Sequence, residues 1–202
     1  PIAGAVSNGV YTFTGLDSSK TYEIWDDETV RKTGISLDAS NRDRTLNYFT
    51  VAVSKGSGII SVAGGGVYLA GSTVAATAEA EAYHTVTWQA TGTAGTADGA
   101  AYTVSNLNAA TALSATGSLV NFTGKVTLKK DDAAWSGQIV RLSTDSAITG
   151  TIVPAQSTDG NYSFTGLDPH DTYYIFVNGK ATGKTLIHTA VNASLDYYTI
   201  EA

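Results

Sequence analysis

The chain has 202 residues, only 15% of them charged, and a formal net charge of −6 at pH 7. Its 12 basic residues are scattered among 18 acidic ones, which argues against nucleic acid as a partner because neutralising phosphates needs clustered Lys and Arg. The absence of cysteine excludes disulfides and thiolate metal sites, and no apolar stretch reaches the length of a transmembrane helix. Since methionine is also absent, we expect this chain to be part of a longer protein.

Two distant parts of the chain repeat one sequence. Gly9 to Trp25 reads GVYTFTGLDSSKTYEIW, and Gly160 to Phe176, displaced by 151 positions, reads GNYSFTGLDPHDTYYIF. After a two-residue deletion the match resumes, with LNYFTV at 46–51 answering LDYYTI at 195–200. The repeat predicts a tandem-module protein. We expect the retained large side chains to be mostly buried at equivalent positions: Tyr11/Tyr162, Phe13/Phe164, Leu16/Leu167, Tyr22/Tyr173 and Ile24/Ile175.

Alternation of apolar and polar residues predicts half-buried strands along most of the chain. Asn8-Gly9, Asp159-Gly160 and Asn178-Gly179 are dipeptides typical of type I′ hairpin turns. The Ala-rich stretch 75–82 has no helical apolar stripe, so we predict a strand over 73–78 that runs into a loop. Many short strands between close turns predict an all-β protein of tandem small β-sandwich modules, Ig-like or prealbumin-like.

The repeat divides the chain into three predicted modules, at residues 1–50, 51–119 and 120–202. The last module begins with two extra strands, 125–129 and 138–142, separated by the turn Asp131-Asp132, and the first module has no counterpart to them. A sheet without those strands leaves an edge and half a core uncovered. We therefore predict that the first module is completed by upstream residues, by another chain or by packing on the central module, with strand-mediated association through residues 9–25.

The last module carries GKVTLKKDDAAWSGQIVRL at 124–142, followed by GNYSFTGLD and DTYYIFVNG. These motifs resemble the prealbumin-like or Cna-B-like repeats of Gram-positive surface proteins. In some members of that family a Lys of the first strand is bonded to an Asn of the last, assisted by a Glu. No Glu occurs between Gly124 and Ile200. We therefore expect no cross-link from Lys125, Lys129 or Lys130 to Asn192.

The central module carries GGGVYLAGSTVAATAEAEAYHTVTW at 64–88 and AYTVSNLNAATALSATG at 101–117. This pattern is similar to a divergent B-repeat of internalin-type surface proteins. Both resemblances imply an extracellular segment of a bacterial cell-surface protein, often an adhesin, whose partners are host or cell-wall glycans or proteins. A cysteine-free β chain rich in Thr fits that location.

No motif pairs a nucleophile with a base, so we predict no enzyme, no catalytic residue and no cofactor. NGKATGKT at 178–185 is interpreted as a hairpin rather than a phosphate-binding loop, because a β-like segment follows it instead of a helix. No helix-borne metal pair is predicted from His84, His170 and His188, which lie far apart in sequence, and solvent exposure is the simple expectation for His170. The acidic run 26–28 is interpreted as a solvated loop.

Aromatic residues supply the candidate ligand contacts. Trp25 and Trp88 are predicted to pack in cores, whereas Trp135 lies beside a turn and is the tryptophan expected to be most exposed. Trp135 and Tyr83 are the two residues that could stack on a sugar. The predicted function is a non-enzymatic spacer or adhesive segment. The alternatives are a carbohydrate-binding module or an accessory module of a secreted polysaccharide-degrading enzyme.

Overall fold

The computed structural model describes residues 4–7, 10–26 and 31–200. These residues form strands, turns and irregular segments, which confirms the all-β prediction. Within the described part of the chain, no helix has the length and apolar character needed to cross a membrane.

The first module consists of two separate hairpins. Each forms its own antiparallel two-stranded sheet, with Ala5 opposite Thr12 in one and Tyr22 opposite Leu37 in the other. The segment from residue 38 to residue 47 contains no strand. The strands are β1 (Ala5–Ser7), β2 (Val10–Thr12), β3 (Tyr22–Asp26) and β4 (Arg31–Leu37).

The central module is a pair of four-stranded sheets. Its strands are β5 (Tyr48–Lys55), β6 (Ile59–Ala63), β7 (Gly66–Leu69), β8 (Val74–Ala80), β9 (His84–Thr91), β10 (Thr96–Asp98), β11 (Ala101–Val104) and β12 (Thr111–Leu119). One sheet has the order β10-β11-β8-β6, and the other has the order β7-β5-β12-β9, with β12 parallel to β5 and antiparallel to β9. The predicted boundary after residue 50 falls inside β5.

The Ala-rich segment illustrates why the central sequence forms strands. Val74, Ala76 and Ala78 are buried on β8, and the residues between them face solvent. This period of two confirms the strand predicted over 73–78, which continues to residue 80. The buried core of this module also contains Val51, Ile59, Trp88, Tyr102, Val104, Leu107, Leu113 and Ala115.

The last module is a β-sandwich with its own core. Its strands are β13 (Phe122–Lys130), β14 (Ala133–Ala134), β15 (Val140–Ser143), β16 (Ile152–Pro154), β17 (Gln156–Thr158), β18 (Asn161–Leu167), β19 (Tyr173–Val177), β20 (Lys180–Leu186) and β21 (Asn192–Tyr197). One sheet has the order β14-β13-β18-β17, with β21 parallel to β13, and the other has the order β16-β15-β19-β20. The core contains Phe122, Val126, Leu128, Val140, Leu142, Tyr162, Phe164, Leu167, Tyr173, Ile175, Val177, Leu186 and Leu195.

Hairpin turns appear where the sequence predicts them. Asp159-Gly160 has φ values of 47° and 72°, and Asn178-Gly179 has values of 51° and 78°. Both central residues of each turn therefore adopt the left-handed conformation of a type I′ turn. Asp131 and Asp132 do the same at the end of β13. The predicted Asn8-Gly9 turn lies outside the described residues.

The repeated sequences fold alike in detail. The bounds of β1 and β3 coincide with those of β17 and β19 after displacement by 151 positions. Gly15 and Gly166 share a φ of 72°, and both hairpins bulge at the equivalent place. The Thr33 hydroxyl donates to the Ile24 carbonyl at 2.7 Å, as Thr182 donates to Ile175 at 2.9 Å. The repeat therefore encodes local structure independently of the rest of each module.

The repeated side chains are buried to different extents in the two copies of the repeat. In the last module the five repeated side chains are at most 3% exposed: Tyr162, Phe164, Leu167, Tyr173 and Ile175. In the first module Tyr11 is 65% exposed and its four companions are only half-buried. The prediction of burial is thus confirmed for the last module and wrong for the first. The reason is that β13 and β15 cover these residues in the last module, and no described strand occupies their place in the first.

Candidate functional site

Tyr83 lies in the turn between β8 and β9 with a φ of 61°. It is 40% exposed. Its ring nevertheless packs against the last module, with its centroid 5.0 Å from that of His170 and 4.6 Å from that of His188. Part of the Tyr83 ring, which the sequence analysis considered for sugar stacking, is therefore in contact with histidines of the last module.

Five rings meet where the central and last modules join, and we call Tyr83, His84, Phe122, His170 and His188 the junction cluster. The His84 and His170 centroids are 6.4 Å apart, and Phe122 meets His188 edge-on at 5.9 Å. The connecting peptide between β12 and β13 is held there too, because the N–H of residue 120 donates to the carbonyl of residue 83 at 2.8 Å. The two modules thus share a defined contact in addition to a short connection.

The junction cluster contains all three histidines of the chain. The sequence did not predict that the three histidines lie close together, because they are far apart in the chain. Residue 84 comes near residues 170 and 188 only through the contact between two modules. Among the described residues, however, no group of three or more His, Asp or Glu side chains has an arrangement that could hold a metal ion. The cluster is therefore described as a packing contact rather than a metal centre.

The turn that contains Asp168 and His170 adjoins the junction cluster. Asp168 accepts hydrogen bonds at 2.9 Å from both the backbone N–H and the ring Nδ1 of His170, and these bonds hold the pKa of the carboxyl below its ordinary value. In the first module Asp17 accepts equivalent bonds from the backbone and hydroxyl of Ser19, which lower its pKa in the same way. The turn is therefore a structural feature of the repeat. His170 is exposed, as expected, but bound to this carboxylate.

Trp135, the other candidate ligand contact, is half-buried. Its ring lies edge-on to Tyr197 at 4.8 Å, and its carbonyl accepts a hydrogen bond from the Tyr162 hydroxyl at 3.1 Å. The residue therefore packs over the end of the sandwich core, with part of the indole open to solvent.

Two of the three tryptophans differ in exposure from the prediction. Trp25, expected in a core, is 51% exposed and is more open than Trp135. Trp88 is 9% exposed and packs near Tyr102, as expected. Trp25 is the repeat equivalent of Phe176, which is 3% exposed but does not belong to the sandwich core, so the strands that cover Tyr162 do not account for this difference.

A shallow depression lies beside β15 in the last module. Gln138, Arg141, Pro154 and Tyr162 line it, and its volume is about 200 Å³. Sites for small-molecule ligands usually occupy roughly 300–1,000 Å³. The depression is thus smaller than a typical enclosed ligand site, and Trp135 is not among its lining residues.

Two further motifs were considered in the sequence, the segment 178–185 and the acidic run 26–28. NGKATGKT at 178–185 forms the β19–β20 turn and strand β20, with no helix following it, so the hairpin interpretation is confirmed. In the acidic run, residues 27 and 28 and the side chain of residue 26 lie outside the described part of the structure.

The residues considered for a covalent cross-link lie side by side. Lys125 of β13 pairs with Asn192 of β21 in the parallel ladder, and both side chains face solvent rather than the core. Bond formation between an amine and an amide needs a group that relays protons. The only acid paired with β13 in this ladder is Asp196, opposite Lys129, four residues beyond Asn192.

We expect the intact mass of the purified chain to equal that of the linear sequence, the sum of its residue masses plus one water. A Lys–Asn isopeptide bond would release ammonia and lower the mass by about 17 Da, and the missing relay carboxylate argues against this step. Mass spectrometry of the denatured chain measures the difference directly. A deficit of that size, lost on substitution Asn192→Ala, would contradict the expectation.

Comparison with models of known protein families finds no match, and no curated protein matches the chain either.

Proposed function

We propose that this chain is a non-enzymatic spacer or adhesive segment of an extracellular bacterial cell-surface protein. The observation that carries the proposal is the presence of two separate cores in consecutive modules. The core of the central module and the core of the last module share no residue, and β12 ends at Leu119 only a short peptide before β13 begins at Phe122. Modules that each bury their own core can be joined in series.

The junction cluster supports this proposal because a spacer must hold its modules in a defined relation. Aromatic pairs in edge-on or tilted contact add stability beyond the area they bury. The hydrogen bond from residue 120 to residue 83 further restrains the connecting peptide. Together these contacts limit bending between the modules, which an unrestrained linker would allow.

The sequence resemblances also support the surface assignment. Cna-B-like or prealbumin-like repeats and internalin-type B-repeats imply the same setting, and absence of cysteine agrees with it. The described sandwich of the last module agrees in fold class with the first of these families, and the proposal of membership rests on the motifs at 124–142 and 160–179.

Small-angle X-ray scattering tests the spacer proposal. A single compact domain of this length would have a radius of gyration of about 17 Å. Modules arranged in series should give a clearly larger value that stays constant with concentration. A radius near 17 Å would contradict the proposal, because it would mean that the modules collapse onto one another.

Partial exposure of Trp135 favours one alternative, binding of a glycan by this module alone or as an accessory part of a polysaccharide-degrading enzyme. A glycan array separates the two functions. Binding that is lost in Trp135→Ala and kept in Trp25→Ala would support the alternative, since both substitutions remove a partly exposed tryptophan and only one adjoins the sandwich core. The spacer proposal predicts no signal that depends on Trp135.

A further inference from the structure

The complete last module shows what covers the repeated face. Strand β13 lies between β18 and β21, so Val126 pairs with Tyr162 on one side and with Ala193 on the other. Strand β15 pairs with β19 in the second sheet, where Leu142 lies opposite Ile175. Both covering strands precede the repeated sequence in the chain and have no counterpart in the first module.

The same face is open in the first module. Tyr11, the equivalent of Tyr162, is 65% exposed, and the equivalents of the other four covered residues are only half-buried. Residues 43–48 correspond to β21, yet only Tyr48 of these belongs to a strand, and that strand is part of the central module. Strand β21 is held by its pairing with β13, and no described strand of the first module takes the place of β13, which explains why residues 43–47 form no strand.

We propose that the open face of the first module is a strand-acceptor site for a polypeptide segment of the β13–β16 type. The pairing in the last module gives its register: the residue equivalent to Val126 would lie opposite Tyr11, and the residue equivalent to Gly124 opposite Phe13. Addition of a strand to an exposed edge pairs its backbone groups, and side chains at alternate positions give specificity. This inference concerns binding and is independent of the spacer function.

The required chemistry of the occupant follows from Gly124. A Cβ at that position would lie 2.7 Å from the Leu186 side chain and 3.1 Å from that of Leu167. The corresponding residues in the first module are Leu37 and Leu16. The site therefore selects a segment with glycine, then apolar residues two and four positions later, as in Gly124, Val126 and Leu128. Such a strand fits under the leucines, whereas a bulkier residue in place of glycine would be excluded.

Binding of a synthetic peptide tests the proposal on the full chain. The peptide has the sequence of residues 121–155, with a fluorophore at its N-terminus for anisotropy measurements. We expect one peptide to bind per chain, with new hydrogen-exchange protection at residues 10–16 and 43–48. A peptide with Gly124→Val should bind at least roughly tenfold more weakly, because the added side chain would meet the two leucines.

Substitutions in the chain locate the site. Tyr11→Asp places a charge on the proposed face and should weaken binding about tenfold or more. Tyr198→Asp is the matched control, since Tyr198 is 66% exposed in the last module, away from the proposed site. Both tyrosines are largely in solvent, so neither change should unfold the chain.

Three results would overturn the proposal. They are equal binding by the normal and Gly124→Val peptides, protection outside the first module, and no detectable binding at millimolar peptide. Sedimentation velocity of the chain without peptide tests whether a second copy of the chain occupies the face. A dimer that buries residues 10–26 and that the peptide does not dissociate would assign the face to self-association instead.

Discussion

Phe164→Ala should destabilise the last module by about 3–5 kcal/mol, the usual cost of removing a fully buried aromatic side chain. Phe164 is 1% exposed and belongs to a core shared by both sheets of the sandwich. Truncation leaves a cavity between β13 and β15 that the surrounding strands cannot close without losing their pairing. Urea unfolding, with hydrogen exchange of the amides of β18 and β19, measures the loss in this module specifically.

Phe13→Ala is the matched control, because residue 13 is the repeat equivalent of residue 164 in a half-buried setting. The same chemical change should cost much less, about 1 kcal/mol or below, since less area is returned to water and no closed cavity forms. Equal losses at the two positions would contradict the conclusion that the first module lacks a covered core. On addition of the peptide of residues 121–155, the cost at Phe13 should rise towards that at Phe164.

Gly92→Ala should strongly destabilise the central module. Gly92 follows β9 at a φ of 93°, and an added Cβ would meet the backbone oxygen of Ala110 and lie 2.9 Å from the Cα of Thr111. Backbone strain at positive φ and overpacking against a neighbouring strand together should cost roughly 2–5 kcal/mol. Hydrogen exchange of β9 and β12 during urea unfolding reports the change.

Gly99→Ala serves as its control within the same module. Gly99 also has a positive φ, 55°, but an added Cβ would have no neighbour within 4 Å. The cost should therefore be limited to the conformational term of about 1–2 kcal/mol. A Gly92→Ala variant no less stable than Gly99→Ala would show that the segment around Ala110 can move aside, contrary to its ordered contacts with Thr93.

The sequence alone determined the local structure of this protein. Alternation with a period of two located the strands, and the Asp-Gly and Asn-Gly dipeptides located the turns, because both signals act between residues close in the chain. The repeat predicted equivalent positions for its two copies, and the structure extends the match to the hydroxyls of Tyr22 and Tyr173, which accept the N–H groups of Asp17 and Asp168 at 3.0 and 2.9 Å.

Only the tertiary structure decided which faces are covered and which residues meet. The same side chain is buried at Tyr162 and exposed at Tyr11. Alternating apolar residues define the apolar face of a strand, but they do not determine which other strand packs on that face. The prediction of burial for Tyr11 was wrong for this reason. Convergence of His84, His170 and His188 likewise depends on how two modules join, a relation between distant segments that leaves no periodic signal in the sequence.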